Sequence, residues 1–132
     1  MFNQEIIRNI EREAEEKKWP YAYLFNSLKS IGIDRYETNV LTHEITYVGE
    51  GHSLKVPPPE GFAPLTASPT FDLAALKAAL ERVQKRETNY LQFLSEIAAA
   101  GVSFYRVDMR PRTVTYHGPG KKNKLVEKVP NT

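Results

Sequence analysis

The chain has no cysteine, two methionines, one tryptophan and three histidines among its 132 residues. Without cysteine it has no disulfide framework, no thiolate metal site and no thiol nucleophile. No apolar run approaches the ~20 residues that span a bilayer, which argues against a membrane partner. The N-terminal MFNQEIIRNIEREAEEKK alternates apolar with charged residues and so lacks the continuous apolar stretch of a secretory signal. These absences point to the cytosol of the producing cell, and a particle-bound (virion) protein would read the same way.

Recognisable catalytic motifs are equally scarce. His43, His52 and His117 show no close metal spacing, and His43 and Glu44 are adjacent strand residues that point to opposite faces. No Gly-x-Ser-x-Gly elbow is present. GPGKK at 118–122 places its glycines one residue apart, and Asn123 follows Lys122, so it reads as a hairpin turn and not a phosphate loop. The sequence therefore leans away from an enzyme and suggests no catalytic residue, cofactor or metal site.

What is present is an ordinary globular composition, 41% hydrophobic and 26% charged, at the length of one domain. The net charge of +2 is uninformative, but it is unevenly spread. Residues 1–66 carry seven Lys/Arg against ten Asp/Glu, whereas residues 67–132 carry eleven against six. The stretch 106–128 holds Arg106, Arg110, Arg112, Lys121, Lys122, Lys124 and Lys128 against Asp108 and Glu127 only. Such asymmetry marks either an anion-binding face or two halves that complement each other.

The dominant signal is a repeat. EITYVGEG at 44–51 recurs as TVTYHGPG at 113–120, 69 positions later. The same shift aligns Phe2 with Phe71, Tyr21 with Tyr90, Gly32 with Gly101, Tyr36 with Tyr105, Tyr47 with Tyr116 and Lys55 with Lys124. Each copy opens with an amphipathic helix, carrying Ile6, Ile7, Ile10 and Ala14 or Leu73, Leu76, Leu80 and Val83. A second helix follows, with Pro20 in its first turn or Thr88 as N-cap, and ends at Gly32 or Gly101. Three short strands complete each copy: RYETNV, HEITYVG and SLKVP, then VSFYRVDM, RPRTVTYHG and KLVEKV. The expected fold class is α+β, one domain from an internal duplication. Two α-α-β-β-β halves give an antiparallel sheet with helices packed on it. Repeat one spans about 2–57 and repeat two about 71–130; the proline-rich stretch 57–70 between them is a stiff connector.

Two sets of residues are candidates for function. Tyr36, Tyr47, Tyr105 and Tyr116 recur on neighbouring strands, and an aromatic sheet face can stack bases. Their alternation with polar residues favours burial under the helices instead. If a cleft separates the halves, Asp108 and His117 would join these tyrosines in it. The second set is Arg110, Arg112, Lys121 and Lys122 in the C-terminal hairpin, suited to an acidic protein or nucleic acid. The competing reading is that they guard a sheet edge.

FLSEIAAAGVSFYRVDM, followed by RTVTYHGPG and preceded by SLKVPPPEGFAPL, resembles the uncharacterised YbcV-like proteins. These are often found in prophage regions and sometimes labelled phage envelope protein. The resemblance runs from the first helix to LVEKVP and implies a fold, but no catalytic residue and no ligand. The reading that results is a non-enzymatic binding or interaction module. The alternative is a small-molecule binder or enzyme with a cleft between the halves.

Overall fold

The computed structural model describes residues 2–130. Helices α1 (Gln4–Glu16) and α2 (Tyr21–Ser30) lead into β1 (Arg35–Asn39), β2 (Ile45–Gly49) and β3 (His52–Val56). The order then recurs as α3 (Leu73–Gln84), α4 (Tyr90–Ala99), β4 (Phe104–Asp108), β5 (Thr113–His117) and β6 (Lys124–Lys128). All neighbouring strands pair antiparallel in one six-stranded sheet of order β3-β2-β1-β4-β5-β6. The α+β class and the α-α-β-β-β order of both halves are as the sequence predicts.

The halves meet where β1 pairs with β4. Glu37 lies directly opposite Arg106, its counterpart 69 positions on, so an approximate twofold axis passes between these two residues. Alternation then sorts the side chains. Tyr36, Thr38, Ile45, Tyr47, Tyr105, Val107, Val114 and Tyr116 are buried, together with Ile7, Phe25 and Leu28 of the first half's helices and Leu76, Leu94 and Ile97 of the second's. Burying each such aliphatic side chain contributes roughly 1.5–3 kcal/mol, which outweighs the intrinsic preferences of strands only five residues long. Leu73 departs from the expected stripe. It is largely exposed, and Ala79 fills the core beside Leu76 and Leu80 instead.

The local signals hold with small shifts. Asn3, Asp72 and Asn89 cap α1, α3 and α4 through their side-chain oxygens. Asn89, not Thr88, is therefore the cap of α4, while Pro20 stands just before α2 rather than in its first turn. The first hairpin turns through Glu50 and Gly51, both with positive φ. The second is longer: His117 pairs with Lys124, and Gly118 donates to the Asn123 carbonyl at 2.7 Å. As a result Lys55 lies opposite Thr46 while Val126 lies opposite Thr115, so the structural counterpart of Lys55 is Val126 and not Lys124.

Each half also grips the other. His43 and Arg112 are equivalent positions with positive φ in the turns after β1 and β4. His43 packs edge-on against Tyr90 of α4 and Phe62 of the connector. Arg112 lies over the Phe25 ring of α2, 4.6 Å from its centroid, and donates to Asn26 Oδ1 at 2.8 Å. It also donates to the carbonyls of Val129 and Pro130. A third link runs from Arg86, after α3, to the carbonyls of Lys18 and Trp19, after α1. The connector follows this packing: Leu65 donates to the Leu41 carbonyl, Ser68 to that of Ala98 and Asp72 to that of Ala100.

Two stability predictions follow from this geometry. Gly32 and Gly101 end α2 and α4 with φ of +101° and +97°, a conformation that side chains with a Cβ rarely adopt. Alanine at either should cost about 1 kcal/mol in urea melts. Gly101→Ala should cost more, because its Cβ meets the backbone at Thr70 O and Phe71 Cα, whereas at Gly32 it meets only the flexible Glu50 carboxylate. Equal losses would overturn that ranking. Arg112→Ala removes a cation–π contact and three hydrogen bonds, and should lower stability by about 2 kcal/mol. Arg110→Ala, at an exposed turn position, should leave the melt nearly unchanged.

Candidate functional site

The sheet has two faces of different chemistry. All six tyrosines of the repeat collect on the helix-covered face near the twofold axis. Tyr21 and Tyr36 share a hydroxyl hydrogen bond of 2.6 Å, and Tyr90 and Tyr105 share its counterpart, also 2.6 Å. The Tyr36 ring packs on Tyr47 and the Tyr105 ring on Tyr116, with centroids 5.3 and 5.5 Å apart. Burial drives the phenols of Tyr36, Tyr47, Tyr90 and Tyr116 well above their usual range and raises those of Tyr21 and Tyr105. The phenols are neutral, and each hydroxyl pair lies within one half, tying α2 to β1 and α4 to β4.

One feature of this cluster is not duplicated. The Tyr47 hydroxyl donates to Glu11 Oε2 at 3.2 Å, and the position equivalent to Glu11 is Leu80. Burial raises the Glu11 carboxyl above its ordinary value, with the Tyr47 hydrogen bond and the Arg8 charge opposing.

The other face carries no helix. Its outward positions are Arg35, Glu37 and Asn39 on β1, Thr46 and Val48 on β2, and Ser53 and Lys55 on β3. In the second half they are Phe104, Arg106 and Asp108 on β4, Thr113, Thr115 and His117 on β5, and Lys124, Val126 and Lys128 on β6. Phe104 and His117 face each other across β4 and β5 and stack, with centroids 4.4 Å apart and planes 12° from parallel. Burial there lowers the pKa of His117, a shift that Glu37 opposes and Lys124 and Arg106 reinforce.

In the first half, Arg35 and Val48 occupy the positions equivalent to Phe104 and His117, and a shallow trough opens instead. One compartment of about 550 Å³ is lined by Arg35, Tyr36, Glu37, Thr46, Val48, Ser53 and Arg106, together with Gly51 and His52. A second, of about 330 Å³, is lined by Glu37, Asn39, Leu41, Glu44, Ser103 and Phe104. Glu37 and Thr46 line both, so the two form one depression along β1 and β2. Its far wall comes from β4, and the trough therefore draws on both halves.

The sequence-based candidates are dispersed by this geometry. Tyr36, Tyr47, Tyr105 and Tyr116 are buried beneath the helices, while Asp108 and His117 stand on the opposite face, so the six share no cleft. Arg110 and Arg112 lie in the turn between β4 and β5, whereas Lys121 and Lys122 lie in the turn between β5 and β6. A five-residue strand separates them by roughly 17 Å, so they form no single basic patch. Arg112, moreover, is engaged in the inter-half grip. Lys121 and Lys122 are exposed in their turn. Of the trough residues, Arg35, Glu37, Thr46 and Phe104 were not singled out from sequence. The available signal was that the repeat changes Arg35 to Phe104 and Val48 to His117 where the buried tyrosines stay constant.

Among the described residues no group of His, Asp and Glu is placed to hold a metal ion, and no helix is long and apolar enough to cross a membrane. The molecule is thus a two-layer α+β protein with four helices on one side of an antiparallel sheet and a polar trough on the other. The chain belongs to the family described as Protein of unknown function (DUF1398), which matches residues 8–128. A comparison with curated proteins gives no match.

The buried carboxyl yields a pH prediction. Because folding raises the Glu11 pKa above 4.5, its protonated form is the one the fold favours. Its contribution to stability is complete below 4.5 and is lost as pH rises through the folded value. Glu11→Gln keeps an acceptor for Tyr47 but does not ionise. In urea melts between pH 4 and 8, this variant should gain on wild type as pH rises; a difference that stays constant with pH would exclude the assignment.

Proposed function

We propose that the chain is a non-enzymatic binding module that holds an anionic ligand on the helix-free face of its sheet. The observation that carries this reading is the trough, where Arg35 and Arg106 flank the larger compartment together with the hydroxyl groups of Thr46 and Ser53. Arg106 uses Nε to bond Asp108 at 3.1 Å, which fixes its fork and leaves its terminal nitrogens for an oxyanion. Arg35 makes no ion pair among the described residues. Fold requirements act alike on both halves, yet the outer face differs between them while the buried tyrosines match. That contrast supports a task for the outer face beyond making the sheet.

The trough also absorbs the alternative of a small-molecule site between the halves. It holds no pairing of a nucleophile with a base, which favours binding over catalysis. The basic turn at Lys121 and Lys122 is the weaker surface for an acidic protein or nucleic acid, because Arg110 and Arg112 lie at the other end of β5. Membership of the YbcV-like, prophage-associated group, descent from an internal duplication and a cytoplasmic or virion location complete the proposal; the resemblance and the 69-residue match support them.

Amide chemical-shift titration with inorganic phosphate and simple carboxylates tests the reading. Shifts should concentrate at residues 35, 46, 48, 53 and 106. Arg35→Ser together with Arg106→Ser should weaken binding at least 10-fold with little change in the thermal midpoint, and the ligand should be recovered unchanged. Shifts confined to residues 119–124, or none at all, would refute it.

A further inference from the structure

The trough is bipolar, and we infer that its ligand is a small amphoteric molecule, carrying an anionic group at one end and a protonated amine at the other. This rests on the reading of the helix-free face as the binding surface, and adds to it the identity of the second group.

Three observations carry the inference. First, Arg35 and Glu37 stand two residues apart on the same face of β1, yet neither forms an ion pair among the described residues. Arg106 and Asp108, at the same spacing on β4, do pair. Glu37 is also directly opposite Arg106 without pairing to it. Opposite charges this close that stay unpaired leave an open cationic point and an open anionic point on the trough.

Second, the two compartments differ in sign. The larger is bounded by two guanidinium groups with Glu37 at its border. The smaller has Glu37 and Glu44 as its only charged lining residues, with Asn39 and, from β4, Phe104 also lining it. Carboxylates and an aromatic ring are the surroundings that favour an ammonium ion, by charge and by the ring's negative face. Lys55 reaches Glu44 only at 3.9 Å and is largely exposed, so this rim contact is too weak to occupy the anionic end.

Third, the length is that of a small molecule. Arg35 lies opposite Val48 on β2, and Glu44, just before β2, is four residues back along the chain, about 13 Å away at the usual rise. Long side chains reaching inward from both ends shorten the gap to that of a chain of several methylenes. Val48 at the cationic end and Leu41 beyond the anionic end add apolar surface on either side of Thr46, which suits an aliphatic spacer.

The test uses ω-amino acids with three to nine methylenes, compared with the matching n-alkylamines and n-alkanoates and with inorganic phosphate, all by amide chemical-shift titration of the full chain. At an intermediate length the amino acid should bind at least 10-fold more tightly than either single-headed compound, with shifts at both residue 35 and residue 44. Glu37→Gln and Glu44→Gln together should erase that advantage while leaving alkanoate affinity within about twofold, and thermal midpoints should confirm that the variant is folded. If alkanoates match the amino acids at every length, the inference fails while the anion-binding reading stands. If neither phosphate nor any compound binds the face, both fail.

Discussion

Everything in this molecule depends on the antiparallel pairing of β1 with β4. Taken separately, each half is a helical hairpin over three five-residue strands, with its first strand leaving an unpaired row of amides and carbonyls. Chains of that size are marginal, because the apolar surface they bury barely offsets the entropy of ordering. Joining the two edges satisfies both rows and makes one six-stranded sheet. Within each half a hydroxyl pair, Tyr21–Tyr36 or Tyr90–Tyr105, ties the second helix to the strand at the seam. The clasps of His43 on α4 and of Arg112 on α2 reinforce the same seam from its two ends.

The one-sided layering gives the two faces different obligations. On the covered face any change of volume is felt by tightly packed neighbours, and a phenol that loses its partner leaves a buried hydroxyl unsatisfied. There the tyrosines recur and most other positions stay apolar in both halves, while Glu11 against Leu80 swaps a carboxyl for a hydrocarbon in the same packing. On the open face the sheet demands only side chains that tolerate water. That freedom lets one half carry the Phe104–His117 stack and the other carry Arg35 and Val48 beside an open trough.

Much of the fold was legible because its signals are local. Alternation in RYETN and FYRVD and the glycines Gly32 and Gly101 at positive φ each act within a few residues. The match at a 69-residue shift then indicates the same element order in both halves. The site was far less legible. A strand shows from its own sequence which residues share a side, but not whether that side meets a helix or water. Tyr36 and His117 were therefore grouped although they stand on opposite faces. Arg112 read as a surface charge because nothing near it in sequence reveals Phe25 and Asn26, which come from the other half.

The sequence by itself determined the secondary elements, their order and their near-equivalence, because hydrophobic period, capping and turn chemistry are written in neighbouring residues. Only the tertiary structure decided which strand of each half lies at the seam, which face the helices cover and which charges are left open. Those outcomes depend on contacts between residues many positions apart. The register that sets Glu37 opposite Arg106 is settled across the axis, and the filling of one outer groove by the stacking of Phe104 on His117 from a neighbouring strand. No stretch of the chain, read alone, contains both sides of that contact.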